Sequence, residues 1–498
     1  MMQASVLTAT LRGVEAVLVE VQADVSSGLP SFTIVGLADA AVLEARDRVR
    51  SAIRTCGFEF PSARVTVNLA PAPLRKHGTG FDLPIALALL CATRQVPTNL
   101  SGNVFAVGEL GLDGSLRPVS GMLAHMLAAA GHGAPLLAPD GLESASDAVG
   151  RVSYRPVRSL SDLREGLPVE AAEGAPGRRG MPVATHGQPD LAEVAGHSAA
   201  KRALEIAATG GHNLLFVGPP GSGKTMLARR LTGILPLLGD TERLETALVH
   251  SVAGLDDAPA LAGVRPFRAP HHSCSVAGLV GGGSPPRPGE ISLAHNGVLF
   301  MDELPQFGPA CLQALRQPLE DGHVTLVRAD GRVRYPARFC LVAAMNPCPC
   351  GFHGDNDKRC TCTDTERTRY MARLGGPLID RIDVCLRVDR VDPEVILSCP
   401  GTESTLEVGA RVTQGRTFAL RAGRDASCRL SGAELLRASA LGRKPRAVLT
   451  GMARSYHLSG RGVTRLLRVA RTIADLAESD RVESDHLLEA AAYRAWQS

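Results

Sequence analysis

Gly218, Pro219, Pro220, Gly221, Ser222, Gly223, Lys224 and Thr225 follow one another between a short apolar run, Asn213–Val217, and a stretch with helical spacing, Met226–Leu231. Each residue type has a use there. Glycines let successive backbone N–H groups turn inward around phosphate oxygens, and the helix start adds partial positive charge. Lys224 can reach the terminal phosphates and the Thr225 hydroxyl can ligate Mg²⁺. A plain Gly/Pro turn would need neither. The pattern predicts a strand–loop–helix site for a nucleoside triphosphate, with ATP and Mg²⁺ as the expected ligands. Further along, the apolar run Gly297–Met301 ends in Asp302 and Glu303. On a strand next to the first, Asp302 would hold Mg²⁺ through water and Glu303 would act as general base on the attacking water. A third apolar run, Phe339–Met345, ends in Asn346. Its amide can bond the γ-phosphate and the lytic water, or it can simply open the turn before Pro347.

These groups need a sheet to hold them, and the chain is long enough for several cores. Its 498 residues predict two or three domains. A hydrophobic content of 45% and a charged content of 21% describe ordinary globular material. The net charge of +4 is small for this length, so any nucleic-acid surface must be a local patch. The apolar stretch around Leu83–Ala92 is too short to span a bilayer, and no secretory pattern opens the chain, so a cytoplasmic protein without a membrane partner is expected. Twelve scattered cysteines suit reduced thiols better than a disulfide scaffold.

Residues 1–165 alternate β-like runs (Val14–Val21, Ser31–Val35, Arg64–Asn68, Val104–Val107) with helical patterns at Ala38–Cys56 and Leu83–Thr93. Around Gly108–Val119, two short strands flank an Asp-Gly turn. This stretch resembles the Lon-protease (S5 domain 2-like) α+β fold. The resemblance puts the catalytic Ser at about Gly80 and its activating Lys at about Leu123, and neither side chain can do that work. A partner-binding or ring-building domain is expected, without proteolysis. Arg75, Lys76 and His77 form a small basic loop, either solvated or touching phosphate. Residues 166–189, rich in Gly, Pro and Ala, read as a linker.

Residues 190–385 resemble the AAA+ P-loop α/β core, beginning with the helix Ser198–Thr209, whose segment would pack beside adenine. By that resemblance Asn346 is the first sensor. Arg381, just past a helix end in Gly376–Asp383, would reach a neighbouring subunit's γ-phosphate. The remainder, 386–498, would be a helical lid. Arg461 at the start of its clearest helix matches the second-sensor position, while Arg465 and Arg468 read as a solvated face.

Two insertions stand out. Gly263–His295 carries His271 and His272, which as adjacent residues should face apart and read as loop rather than metal ligands. Gln317–Arg338 alternates around Ala329-Asp330-Gly331, a hairpin signal, with Arg328, Arg332 and Arg334 about its tip. Such cations suit a phosphate backbone, or keep an edge hairpin soluble. After Asn346, Cys348, Cys350, Cys360 and Cys362 form two C-x-C pairs. They offer four thiolates for a structural Zn²⁺, with reduced thiols or a redox-sensitive pair as alternatives.

Lys76–Asp82, Gly218–Thr225, Arg268–His272, Met301–Leu304, Ala343–Gly351 and Leu378–Asp383 together closely resemble the ComM/YifB family of magnesium-chelatase-like AAA+ ATPases. The resemblance implies a homo-hexameric ring that hydrolyses ATP and drives branch migration of single-stranded or branched DNA in natural transformation, with recombination proteins as partners. It places the arginine hairpin in the central pore. A metal-insertion chelatase subunit and an ATP-dependent protein remodeller are the competing expectations.

Overall fold

The computed structural model describes residues 2–150, 152–170, 189–328, 331–355, 357–398, 403–424 and 426–494. Most of the expected linker (171–188) and the hairpin-turn residues Ala329 and Asp330 lie outside the described residues.

The N-terminal sheet has seven strands: β1 (Met2–Arg12), β2 (Glu15–Ser26), β3 (Ser31–Val35), β4 (Arg64–Ala70), β5 (Phe105–Ala106), β8 (Leu136–Pro139) and β9 (Tyr154–Val157), in the order β3-β4-β2-β1-β5-β8-β9. A separate hairpin, β6 (Glu109–Leu110) with β7 (Leu116–Arg117), flanks the Asp-Gly turn. The expectation of strand, helix, strand was met here, but β1 was not foreseen. It pairs antiparallel with β2 from Met2↔Val25 to Arg12↔Glu15. Among the helices α1 (Ala40–Thr55), α2 (Asp82–Ala92), α3 (Met122–His132) and α4 (Glu143–Val149), α2 is buried along its whole length. That follows from a sequence with almost no polar face. Its one acidic residue, Asp82, is paired at 2.6 and 2.9 Å with the Arg48 guanidinium of α1.

The basic loop departs from the sequence reading. Lys76 is fully buried rather than solvated, and its ammonium donates to the Pro71 carbonyl at 2.5 Å. The backbone of Lys76 bridges to Ala38, while its side chain lies inward. Both positions where the Lon-protease resemblance would put a catalytic pair are closely packed. A Cβ at Gly80 would already lie 3.3 Å from Val107 and 3.4 Å from Val119. Leu123 is fully buried in a cluster shared with Leu238, Ala247 and Ala260 of the next unit. There, Ser251 of helix α7 (Asp240–Ala253) caps the start of α3, accepting from Gly121 N at 2.8 Å and from Leu123 N at 3.3 Å.

The second sheet is parallel throughout: β10 (Leu214–Val217), β11 (Phe267–Arg268), β14 (Val298–Met301), β17 (Cys340–Met345) and β18 (Val384–Arg387), ordered β11-β14-β17-β10-β18. Strands buried on both faces need continuous apolar runs, and these have them. The period of two decides what covers each face. Leu214, Phe216, Val298, Phe300, Val342 and Ala344 pack with α5 (Ser198–Gly210), α6 (Lys224–Ile234) and the C-terminal helices Thr405–Arg421 and Gly460–Leu476. Leu215, Val217, Leu299, Met301, Leu341 and Ala343 face the other way. They meet residues 304–315 and the hairpin of β15 (His323–Arg328) and β16 (Gly331–Pro336). A short two-strand piece, β12 (Gly281–Gly282) with β13 (Arg287–Pro288), lies in the preceding insertion.

Candidate nucleotide site and the arginine cavity at the opposite sheet edge

Parallel register carries three of the expected groups to one sheet edge. Met301 aligns with Ala343, and Val217 with Met345, so Gly218, Asp302 and Asn346 all leave from the carboxyl ends of adjacent strands. That edge is where open α/β sheets bind ligands. The loop 218–223 then enters α6 at Gly223, whose left-handed φ of 80° suits glycine. Lys224 curls back over it, donating to the Gly218 and Pro219 carbonyls at 2.7 Å each and lying 3.4 Å from Asn346 Oδ1.

Burial pushes the Lys224 ammonium down to about 8, against the opposing pull of Asp302 and Glu303. A bound triphosphate favours the charged amine, so its pKa rises on binding. Affinity is then greatest below that value and declines as pH rises through it. From about pH 8 to 9, Mg·ATP affinity should fall about fivefold, with proton uptake visible by calorimetry in buffers of different ionisation enthalpy. An affinity flat across that interval would contradict this account of Lys224.

Thr225 Oγ1 donates to Asp302 Oδ2 at 2.6 Å, so a hydroxyl and a carboxylate that could share one Mg²⁺ already converge. Glu303 is held in the left-handed region at φ 50°, and its N–H donates to Asp302 Oδ1 at 2.9 Å. A non-glycine residue there is strained, a feature that gathers at functional sites. His272 was not expected here. Its Nδ1 lies 3.5 Å from Glu303 Oε2, and the two histidine rings sit 4.1 Å apart instead of facing away from each other. The legible signal was topological: β11 pairs with β14 at Arg268↔Leu299, so the residues after Arg268 leave at the same edge as Asp302. Arg268 itself is clamped by Glu290 at 2.7 Å through two nitrogens.

The cysteine loop packs on the nucleotide loop. A Cβ at Gly351 would lie 2.8 Å from Pro220, and Arg390 reaches both Asp355 and the Pro220 carbonyl. Cys348, Cys350, Cys360 and Cys362 bring their sulfurs within 4.8 Å of one another. Three of the separations are 3.3, 3.7 and 3.6 Å. Tetrahedral Zn²⁺ with Zn–S near 2.3 Å needs edges of about 3.8 Å. The donor set therefore fits a closed four-thiolate metal site.

Arg381 and Arg461 lie elsewhere. Asn213, just before β10, donates to the Arg381 carbonyl at 2.8 Å, which puts Arg381 at the amino end of the strand that delivers the phosphate loop. Its guanidinium bonds Glu320 and the Pro377 carbonyl. A cavity of about 860 Å³ opens at this end, lined in part by Glu320, Arg381, Arg461 and Arg465. Arg461 is exposed on its rim. Arg465 and Arg468 are not the solvated face expected. Arg465 is only 5% exposed and binds the Ile379 and Ile382 carbonyls and Asp380, while Arg468 donates to the Leu430 carbonyl at 2.7 Å. Their reach to the 379–382 turn and to Leu430, not their position on the helix, decides this. Neither Arg381 nor Arg461 meets the phosphate loop of its own chain.

Arg328, Arg332 and Arg334 are exposed on the hairpin, and Arg334 contacts His323 at 2.9 Å. Among the described residues no carboxylate pairs with any of the three.

A phosphate loop, a carboxylate pair and an amide converging on one edge of a five-stranded parallel sheet define a P-loop ATPase of the AAA+ type. Residues 190–396 match the family model of magnesium chelatase, subunit ChlI, residues 21–141 that of subunit ChlI of Mg-chelatase, and residues 402–494 that of the ChlI C-terminal region. The chain is 43% identical over 488 residues to the Escherichia coli protein YifB, covering 97% of this chain and 95% of that one. It is 41% identical over 497 residues to the competence protein ComM of Haemophilus influenzae, covering 97% and 96%. A more distant likeness, 26% over 183 residues and 36% of this chain, is to the Holliday junction branch migration complex subunit RuvB of Neorickettsia sennetsu. The chain belongs to the ComM/YifB family of magnesium-chelatase-like AAA+ ATPases.

Proposed function

We propose that this ATPase is a ring-forming DNA motor that uses ATP hydrolysis to migrate branches during recombination of incoming DNA. The observation that carries the reading is the β15–β16 hairpin, a separate cationic pair of strands packed on the sheet that carries the nucleotide site. Arg328, Arg332 and Arg334 stand exposed on it without carboxylate partners among the described residues. Exposed, unneutralised arginines suit a sequence-independent phosphate backbone. With few aromatic residues, 4% of the chain, stacking on bases would contribute little. The names of two relatives, a competence protein and a branch-migration subunit, point the same way.

In this reading Lys224 and the loop amides bind the triphosphate, and Asn346 orients it. Thr225 and Asp302 would hold Mg²⁺, which when bound would supply charge neutralisation at the phosphates. Glu303 takes the proton from water. Arg381 and Arg461 serve the nucleotide of the adjacent subunit, in a homo-hexamer. Residues 1–165 form a Lon-protease-like domain without its catalytic pair, 166–189 the linker, and 386–498 the helical lid. No helix among the described residues is long and apolar enough to cross a membrane.

The test is ATP turnover alone and with single-stranded or four-way-junction DNA at two salt concentrations. Stimulation that falls with salt and is lost in Arg328→Ala/Arg332→Ala supports the motor. Turnover indifferent to every DNA would overturn it. It would favour the second reading, a metal-insertion subunit, which rests on the chelatase models matched by three segments of the chain.

The four cysteines are assigned a structural Zn²⁺. Metal analysis of the purified protein should find one zinc per chain, lost in Cys360→Ser/Cys362→Ser. Because the loop rests on Pro220, that loss should also weaken nucleotide binding. Full metal content in the double variant would contradict the assignment.

A further inference from the structure

The hairpin does not stand alone. The β1–β2 turn of the N-terminal sheet is docked on it, and three contacts describe the seat. A Cβ at Gly13 would lie 2.8 Å from Val333 Cγ1 and 3.3 Å from the Arg334 carbonyl, and Gly13 has a φ of 71°, so this approach is open to glycine alone. Val14 packs into the cluster that contains Val324, Leu326, Val333 and Tyr335. The Arg12 guanidinium lies against the hairpin end, where a Cβ at Gly331 would come within 2.6 Å of its Nη2.

Register says which arginines share a side. Arg328 pairs with Gly331, so Arg12 and Arg328 flank the same end of the ladder. Arg328 in turn approaches β12, with its Nη2 3.4 Å from a Cβ built at Gly282. Gly282 pairs with the exposed Arg287 of β13. Among the described residues no carboxylate forms an ion pair with Arg12, Arg287 or Arg328. Three segments far apart in sequence thus gather unneutralised cations at one place. Charges of one sign gathered on a protein surface repel one another unless a polyanion lies across them.

We propose that Arg12 is a phosphate-contacting residue for single-stranded DNA, and that the N-terminal domain braces the hairpin through Gly13 and Val14 to complete this surface. The inference rests on the DNA-motor reading and gives the N-terminal domain a part in it. A second anchorage supports the bracing. The α3–α7 contact through Gly121, Leu123 and Ser251 fixes the same domain to the helix that follows the phosphate-loop helix. The β1–β2 turn is therefore held at a set position over the hairpin.

The experiment is binding of a fluorescent mixed-sequence single-stranded oligonucleotide to the full-length protein with a non-hydrolysable ATP analogue, by anisotropy over a salt series. Wild type is compared with Arg12→Ala, Arg332→Ala and Arg46→Ala, the last an exposed arginine of α1 that among the described residues bonds only the Leu43 carbonyl of its own helix. Each phosphate contact on a single strand contributes about 0.7 to the slope of log affinity against log salt. Arg12→Ala should make the slope shallower by about that amount, weaken binding alike for different sequences and leave DNA-free ATP turnover unchanged. Arg46→Ala should match wild type. If Arg332→Ala loses slope while Arg12→Ala matches Arg46→Ala, the inference falls and the motor reading stands. If wild type shows no salt-dependent binding at all, the motor reading falls first.

Discussion

Glu303→Gln is expected to slow ATP hydrolysis by about 10²- to 10⁴-fold while leaving nucleotide binding close to wild type. The amide keeps the size and hydrogen-bonding capacity of the side chain but cannot take a proton from water. Lys224, Thr225 and Asp302, which hold the triphosphate and its Mg²⁺ in this account, bond one another or the loop carbonyls, not the Glu303 carboxylate. Binding and turnover should therefore separate. Fluorescent-nucleotide titration beside a steady-state phosphate-release assay would show it. A variant that loses binding in parallel with turnover would make Glu303 a structural element of the loop and not the base. His272 gives a smaller companion test. Lying 3.5 Å from Glu303, it can orient the carboxylate, so His272→Ala should lower turnover with little change in nucleotide affinity.

Arg381→Ala should cost about 10³-fold or more in turnover, the range typical of an arginine supplied to a phosphoryl-transfer transition state. Arg381 sits at the amino end of the strand whose carboxyl end carries the phosphates, and its Nε is buried without a hydrogen-bond partner among the described residues. In the proposed ring, a neighbouring subunit would bring the γ-phosphate to it. Mixing two inactive variants distinguishes this from a local folding role. In a ring of Arg381→Ala and Glu303→Gln subunits, some junctions join an intact Glu303 to an intact Arg381, and activity should return. No recovery across mixing ratios, with assembly verified by light scattering, would rule out a trans role. Arg381→Lys should not rescue, because an ammonium lacks the planar fork of the guanidinium.

Much of this site could be read from the chain because its parts are local. Glycines, Lys224 and Thr225 lie within eight residues, and apolar runs ending in Asp302 or Asn346 announce buried strands and their polar tips. Parallel pairing then brought those tips together, as such runs require. What could not be read depended on contacts distant in sequence. Lys76 reads as a solvated loop residue, yet it is buried in a segment whose backbone bridges to the distant Ala38. Arg465 and Arg468 looked like a solvated helix face, because the carbonyls that take up their charge come from residues 379, 382 and 430. His272 could be placed beside Glu303 only once β11 was known to neighbour β14. The β1 strand escaped notice for a related reason. Helix α2 packs on it, and its own alternation is blurred by its two threonines, Thr8 and Thr10, both buried. The docking of the β1–β2 turn on the arginine hairpin left no trace in either segment alone.

The most direct measurement is branch migration itself. A synthetic four-way junction with one labelled strand is incubated with the full-length protein, Mg²⁺ and ATP, and the products are separated on a native gel. The account predicts conversion of the junction to duplex products that requires hydrolysable ATP, is absent in Lys224→Ala and Glu303→Gln, and is lost in Arg328→Ala/Arg332→Ala although that variant still hydrolyses ATP. A protein that turns over ATP and binds the junction, yet leaves it intact under all these conditions, would contradict the motor.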